Sequence, residues 1–394
     1  MKLKAIFLLF FFVFWWVFWL YLSFFEQNTF VSPSFFVFIQ FNFFITFFFC
    51  GALLSIYMYG ASRNQSSTAS IVNISENKLK LIFYIMLFFL ALTVLVAWFS
   101  GVFSKSYLNY FAEVRGTEAD LTGGATGLDK ILAFLAFPFS IFCLILGLVV
   151  DRVKHISITA GFFLLLYSYV YQVNYPIMYS FHIILMTSFL RGLSKSFISV
   201  LVVCLLLVLM AASMRYGSFD FIGVLNYYLV NYHIVGFSLY DYYFYDEQGL
   251  IHQHTFGFSS LGGISQSLLI VIDKLGVDGE LLSTTNSYIS KPVVVGVDGV
   301  TKSNAFNTMI FTFFRDFSYF GIFLGGGAYG FFTFRAYFKS ITSIYSRVVF
   351  VVLSFSWMIG FMISPIERPY FWFCLIFSFI FLKKFIFKRV FYNE

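Results

Sequence analysis

The chain has 394 residues, of which 60% are hydrophobic and only 11% are charged, and its formal net charge is +7. This much apolar surface exceeds what one water-soluble core could bury, which excludes a soluble globular protein and predicts a membrane protein. No accessible domain carries a basic patch, so the positive charge does not indicate a nucleic-acid partner.

Apolar runs long enough to cross about 30 Å of hydrocarbon occur along the whole chain. They predict an all-α polytopic membrane protein with about ten transmembrane helices, near residues 5–25, 35–59, 81–100, 131–150, 157–173, 176–190, 197–212, 306–334, 348–364 and 370–387. The predicted divisions are transmembrane helices 1 to 7 in 1–212, one large loop in 213–305, and helices 8 to 10 in 306–394. Ten crossings place both termini on one side.

Charge predicts which side that is. With the N-terminus in the cytoplasm, sixteen of the 25 Lys and Arg residues lie on cytoplasmic segments, and fifteen of the 18 acidic residues lie on the other face. Basic residues concentrate in the cytoplasmic loops of membrane proteins. We therefore expect cytoplasmic termini and a large loop outside the cytoplasm.

The first part of the large loop has helical spacing. Apolar residues recur at intervals of three and four from Phe221 to Val235, which predicts an amphipathic helix lying along the membrane interface. An aromatic run with Tyr242, Tyr243 and Tyr245 follows. Aromatic side chains at a membrane interface explain such a run, and so does a glycan-binding surface; the sequence leaves both interpretations open.

Two histidines follow, His252 and His254, with one residue between them. In an extended segment both would point the same way, so they are candidates for a general base and for a substrate hydrogen bond, with an ordinary polar loop as the alternative. No third ligand of matching spacing is evident, and we expect no metal and no other cofactor. Nucleotide-binding motifs are also absent from the sequence, so any catalysis must use a donor that is already activated and already on the outer face.

Ionisable residues at the mouths of the predicted spans are the remaining candidates, because charge is costly at membrane depth. Arg315 and Asp316 lie in the apolar run 306–334, Glu367 and Arg368 lie in a proline-flanked turn, and Arg215 follows the seventh span. An Arg fork matches two phosphate oxygens at once. We predict Arg215, Arg315 and Arg368 as a clamp for a diphosphate; structural ion pairing, a plain hairpin turn and helix-end anchoring are the alternatives.

Glycines in the eighth predicted span indicate tight packing. Gly321 and Gly325 are four residues apart, as are Gly326 and Gly330. Small residues at this spacing let helix backbones approach closely.

The segment from Ser303 to Thr308, followed by Arg315-Asp316-Phe317 and Gly321, resembles the segment that opens the span after the large outer loop in bacterial O-antigen polymerases of the Wzy type. One departure is Ser318, where family members often carry Gly. The resemblance implies a fold similar to that of GT-C membrane glycosyltransferases, in the bacterial inner membrane. It also implies transfer of a growing glycan from undecaprenyl diphosphate to an incoming lipid-linked repeat unit on the periplasmic face.

The resemblance also implies roles for the candidates. The three arginines would neutralise the leaving undecaprenyl diphosphate, and Asp316, Glu367 or His252 would take the proton of the acceptor hydroxyl. Expected partners are the undecaprenyl-diphosphate-linked oligosaccharide and, in the same membrane, a chain-length regulator and a flippase. A lipid-linked oligosaccharide flippase and an O-antigen ligase remain alternative functions. A flippase should show two repeated halves, and the sequence has no internal repeat.

Overall fold

The computed structural model describes residues 2–25, 29–60, 74–103, 127–191, 226–247, 249–265, 288–289, 291–304 and 307–383, together with the single positions 202, 206 and 223. Over these residues the chain forms eleven α-helices and one antiparallel pair of short strands. The predicted span 197–212, apart from two of those positions, and Arg215 lie outside the described residues.

The first half of the chain consists of helices α1 to α7. Their bounds are Lys2–Leu22 (α1), Phe35–Gly60 (α2), Glu76–Phe99 (α3), Gly127–Ile131 (α4), Phe137–Val149 (α5), Lys154–Val170 (α6) and Tyr175–Arg191 (α7). A π-helical turn, Leu132–Ala136, joins α4 to α5, and a 3-10 turn, Asp151–Val153, precedes α6.

The second half begins with a π-helical turn, Asn226–Asn231, that leads into α8. The remaining elements are Tyr232–Tyr245 (α8), a 3-10 turn at Leu250–His252, Val293–Val294 (β1), Lys302–Ser303 (β2), Met309–Lys339 (α9), Ile344–Ile359 (α10), a 3-10 turn at Pro365–Glu367 and Pro369–Leu382 (α11).

Within the described part of the chain, four helical segments are long and apolar enough to cross a membrane. They are Lys2–Leu22, Phe35–Tyr59, Glu76–Phe99 and Leu132–Val149. Helices α10 and α11 are apolar but shorter. Large apolar side chains on α1, such as Phe7 and Phe14, are more than 60% exposed, as in a helix whose outer face meets lipid. The described chain is therefore mostly helical, with an apolar surface compatible with an all-α membrane protein.

Helices α2 and α9 pack together through glycines, as predicted. A Cβ atom on Gly326 would lie 2.6 Å from the carbonyl oxygen of Phe44, and one on Gly330 would overlap that of Phe48. On the other helix, a Cβ atom on Gly51 would overlap the carbonyl oxygen of Gly327. The prediction of close packing is confirmed, because each of these positions has room only for hydrogen.

Helix α9 is sharply bent. Phe317 has φ −142° and ψ 26°, and Ser318 has φ 54° and ψ −143°, so neither residue is helical. Beyond the bend, a Cβ atom on Gly321 or Gly325 would overlap Phe313. Residues eight and twelve apart would be about 12 and 18 Å apart along a straight helix. The segment 309–316 therefore folds back against 319–339, and Gly321 and Gly325 serve this contact within α9.

Helix α8 is buried among the other helices. Gly236 packs against the carbonyl of Phe361, the ring of Phe237 stacks on that of Phe361 at 5.6 Å, and the ring of His233 stacks on Trp19 at 4.2 Å. The amphipathic helix is predicted from Phe221 to Val235, and an interfacial position is wrong for its end, residues 233–235, which are buried. Residues 221, 222, 224 and 225 lie outside the described part of the chain.

The reason for this error is that the polar side chains of the segment have partners inside the protein. The Asn231 amide donates to the Thr29 hydroxyl at 3.0 Å, and the Tyr240 hydroxyl donates to the Gln40 side-chain oxygen at 2.6 Å. A polar stripe on a helix marks its water-facing side only where no such partners exist.

Segments predicted on the outer side contact one another at one end of the helix assembly. The Val31 amide donates to the Val295 carbonyl at 2.8 Å, and the Ser34 amide donates to the Asp241 carboxylate at 2.9 Å. The Met309 amide donates to the Gly360 carbonyl at 2.6 Å. The loop between α1 and α2, the large loop, the start of α9 and the turn after α10 thus lie together.

Candidate functional site

Glu367 is the centre of a buried polar cluster in the turn between α10 and α11. Its side chain is 5% exposed. One carboxylate oxygen accepts a hydrogen bond from the Asn307 amide, and the other accepts one from the Thr312 hydroxyl at 2.8 Å. Pro365 and Pro369 flank the turn. Each proline ring fixes φ and removes an amide hydrogen, so the turn is short and rigid.

Two of the three predicted clamp arginines adjoin this carboxylate. Arg368 donates from Nη2 to the Asn307 side-chain oxygen at 3.4 Å, and Arg315 is 2% exposed. Burial raises the pKa of the Glu367 carboxyl above its ordinary value, while the Thr312 hydrogen bond and the charges of Arg368 and Arg315 oppose that rise. Two guanidinium groups therefore act on this one carboxylate.

Asp316 faces away from that cluster, toward the loop 255–260. Its Oδ1 accepts from the Thr255 hydroxyl at 2.7 Å, the Gly257 amide at 3.0 Å and the Ser259 amide at 2.9 Å. Its Oδ2 accepts from the Ser260 amide at 2.9 Å and from the Ser260 hydroxyl. A carboxylate has about four lone-pair positions, and these five donors occupy them.

These contacts favour a structural role for Asp316, and its role as a base stays a prediction. The five hydrogen bonds leave no lone pair of the carboxylate open to a substrate hydroxyl. The same loop is also tied to the α9 backbone, because the Thr255 amide donates to the Arg315 carbonyl at 3.0 Å. Asp316 fixes the loop at the bend of α9.

The loop continues over the Glu367 and Arg368 turn. A Cβ atom on Gly262 would lie 3.3 Å from Cα of Glu367, and one on Gly263 would overlap the Arg368 carbonyl. The indole nitrogen of Trp372 donates to the carbonyls of Ile366 at 2.7 Å and Ser260 at 3.1 Å, so it joins the turn to the loop. Residues 255–265, here called the cover loop, thus lie directly against the charged turn.

Sequence reasoning missed the residues that position the charged groups. Thr312 and Asn307 hold Glu367, while Thr255, Ser259 and Ser260 hold Asp316. A run of small and hydroxyl residues with two adjacent glycines is the signal in the sequence for a tightly hydrogen-bonded loop. Its pairing with Asp316 carries no local signal, because the partners are about sixty residues apart.

The two histidines lie on the surface of the large loop, and both are exposed. His252 makes a 2.9 Å hydrogen bond from Nε2 to the Phe244 carbonyl, and its ring lies 6.1 Å from that of Phe314. When Nε2 donates to a carbonyl, Nδ1 is the acceptor of the neutral ring. The His252 ring therefore lies beside the 309–316 segment that carries Arg315, with Nδ1 as the acceptor in that tautomer.

The predicted glycan-binding tyrosines differ in exposure. Tyr243 is 1% exposed and packs against Tyr288 and Phe311, so its expected place on a glycan-binding surface is wrong. Tyr242 and Tyr245 are 43% and 56% exposed. Together with Asp241 and Asp246 they line an open surface pocket of about 280 Å³.

Among the described residues, no group of three His, Cys, Asp or Glu side chains is placed to bind a metal ion. The chain matches no protein-family model, no curated protein and no solved structure.

Proposed function

We propose that this chain is an O-antigen polymerase, a membrane glycosyltransferase that joins undecaprenyl-diphosphate-linked repeat units on the periplasmic face. The observation that carries the proposal is the buried Glu367 carboxylate beside the cover loop, whose pKa the charges of both Arg368 and Arg315 lower against the rise caused by burial, with Arg368 hydrogen-bonded to the same Asn307 side chain. Transfer of the glycan releases undecaprenyl diphosphate, and negative charge develops on that diphosphate as the glycosidic bond breaks.

The arginines are suited to stabilise this charge. Guanidinium groups bind phosphate oxygens in pairs, and such contacts are stronger in a site from which water is excluded. The Nε of Arg368 is buried and has no hydrogen-bond partner among the described residues, so a donor remains for a ligand. Removing one donor to a developing oxyanion typically slows catalysis about 10²- to 10³-fold.

In this proposal Glu367 holds the two arginines, and His252 is the general base. The acceptor hydroxyl oxygen attacks the anomeric carbon, the bond from that carbon to the diphosphate oxygen breaks, and the hydroxyl proton passes to His252 Nδ1. The exposed pocket beside Tyr242 and Tyr245 would bind part of the glycan, with His254 as a further polar contact. Arg215 keeps its proposed place as a third diphosphate contact.

The proposed architecture has about ten crossings, a GT-C-like arrangement and both termini in the cytoplasm of an inner-membrane protein. The contacts among segments at the end opposite to Glu367 support it. Arg191 donates to the Leu148 carbonyl and lies near Arg347, and Lys78 donates to the Phe381 carbonyl. These basic groups lie near the ends of helices, on the face that the positive-inside rule assigns to the cytoplasm. A chain-length regulator and a flippase are the proposed partners in that membrane.

The test is the lipopolysaccharide of a strain that lacks this protein. Loss of a polymerase leaves lipid A core that bears a single repeat unit, and expression of the wild-type chain restores long polymers. Loss of a flippase or of a ligase leaves core with no repeat unit. Core without any repeat unit in the deletion strain would therefore contradict the polymerase and favour one of those two functions.

A further inference from the structure

The cover loop presents apolar side chains outward. Phe256 is 76% exposed, Phe258 64% and Leu261 44%. The loop is nonetheless firmly held, because Asp316 accepts its amide and hydroxyl hydrogens and the Phe256 amide donates to the Asp316 carbonyl at 3.1 Å. Phe256 has φ +50°, which a bulky residue retains only when its surroundings impose it. The structure thus fixes these rings in their outward positions.

The depth of the loop follows from its attachment to α9. The helical segment 319–339 is about 31 Å long, close to the ~30 Å thickness of the hydrocarbon core of a bilayer. A membrane crossing by this segment would put Tyr319 at the edge of the hydrocarbon, and the loop is bonded to the carbonyls of Arg315 and Asp316 just before it. The ring of Phe36, at the start of α2, lies 6.2 Å from that of Tyr319, so a second helix begins at the same level.

The outward face of the loop continues onto the apolar face of α9. A Cβ atom on Gly257 would lie 3.7 Å from Cζ of Phe317, so the loop packs on that ring. Phe317 is 44% exposed, and Phe320 and Leu324 beyond it are 63% and 53% exposed. One strip of exposed apolar side chains therefore runs from the middle of the helix to the tip of the loop. Aromatic side chains are enriched at this depth in membrane proteins.

We infer that the cover loop inserts Phe256, Phe258 and Leu261 among the acyl chains of the adjoining membrane leaflet. The loop is then bound on one side by lipid and on the other by the Glu367 and Arg368 turn, and it closes the charged cluster off at the bilayer surface. The inference needs the chain to cross a membrane, but it does not need polymerase activity.

The test places a nitroxide label at Phe256→Cys and, separately, at Phe258→Cys. The four native cysteines are first replaced by alanine, and the full chain is reconstituted in vesicles of phosphatidylethanolamine and phosphatidylglycerol. Collision rates with oxygen, which concentrates in hydrocarbon, and with a water-soluble nickel chelate then report the depth of each label. Two reference positions of comparable exposure lie in the same chain: Val300→Cys for water, at 75% exposed, and Leu324→Cys for hydrocarbon, at 53%.

At both loop labels, the ratio of the oxygen collision rate to the nickel collision rate is expected to be at least fivefold higher than at the Val300 label. It should approach the ratio at the Leu324 label. Nickel collision rates at Phe256 and Phe258 equal to those at Val300 would overturn the inference. This readout is independent of catalysis, so a chain that proves not to be a polymerase still gives a decisive answer.

Discussion

Two buried carboxylates at the same end of this molecule have opposite surroundings. Asp316 is 0% exposed and its donors are neutral groups of the cover loop, whereas Glu367 is 5% exposed and adjoins two arginines as well as Asn307 and Thr312. Burial is common to both, so burial does not distinguish a structural carboxylate from one in a binding site. The groups that contact each carboxylate distinguish the two roles. Neutral donors fix a loop, whereas guanidinium groups can exchange a carboxylate for a phosphate.

The largest expected effect is on catalysis, from removal of either guanidinium. Arg315→Ala and Arg368→Ala should each lower polymer formation by about 100-fold or more, because the leaving diphosphate loses a charged donor. Arg315→Lys should retain little activity, since a point charge does not reproduce the fork. Gel analysis of lipopolysaccharide from complemented deletion strains measures this.

The matched control for these variants is Arg152→Ala, which removes an exposed arginine at the opposite end. It should leave the ladder of chain lengths unchanged. Wild-type ladders from the Arg315 and Arg368 alanine variants, with normal amounts of protein in the membrane, would remove the functional distinction between the two carboxylates.

The next largest effect is on stability. Glu367→Ala should lower the free energy of unfolding by about 3–5 kcal/mol, because it leaves two guanidinium groups without their carboxylate. Glu367→Gln should cost less than the alanine variant, since the amide oxygen still accepts one hydrogen bond. Thermal unfolding of purified protein in detergent measures both, and equal losses for Gln and Ala would show that the hydrogen bonds from Thr312 and Asn307 contribute nothing.

Asp316→Asn should cost about 1–3 kcal/mol, because an NH₂ group replaces an oxygen that accepts from Ser260. It should also open the cover loop to chymotrypsin at Phe256 and Phe258 in detergent. Asp298→Asn is the control, since Asp298 also accepts from loop amides but is exposed, and its hydrogen bonds in the described part of the chain go to its own turn, at Val300 and Thr301. Loss of activity by Asp316→Asn without faster cleavage of the loop would favour a direct chemical role and weaken the contrast with Glu367.

The smallest effect concerns the bend of α9. Ser318 has φ +54°, which glycine adopts without the steric cost that a Cβ atom brings, so Ser318→Gly should raise the free energy of unfolding by about 1 kcal/mol. Ser354→Gly, in the middle of α10, should lower it by about the same amount. A lower stability for the Ser318 variant would mean that the side chain, and not the strained backbone, determines the bend.

Sequence reasoning located the helices well where apolar runs are long. The predicted span 35–59 corresponds to α2, Phe35–Gly60, and the glycine spacing in 321–330 predicted tight packing that the structure shows. These features are local, because a hydrocarbon-spanning run and a small-residue stripe are visible in a few consecutive turns of helix.

The features that the sequence did not predict depend on contacts between residues distant in the chain. The fold-back at Ser318 has neither glycine nor proline to mark it, and it exists because the cover loop and the Phe313 contact hold it in place. The burial of α8 depends on Thr29 and Gln40, about two hundred residues earlier in the chain. The sequence did identify Arg315, Glu367 and Arg368 as candidates, but not that Asp316 would face a different partner.

The central claim is that Arg315 and Arg368 bind a lipid diphosphate beside Glu367. The most direct measurement is the binding of undecaprenyl diphosphate to the purified chain, compared among the wild type, Arg368→Ala and Arg152→Ala. We expect at least tenfold weaker binding for Arg368→Ala and unchanged binding for Arg152→Ala. Equal affinities for the wild type and Arg368→Ala would contradict it.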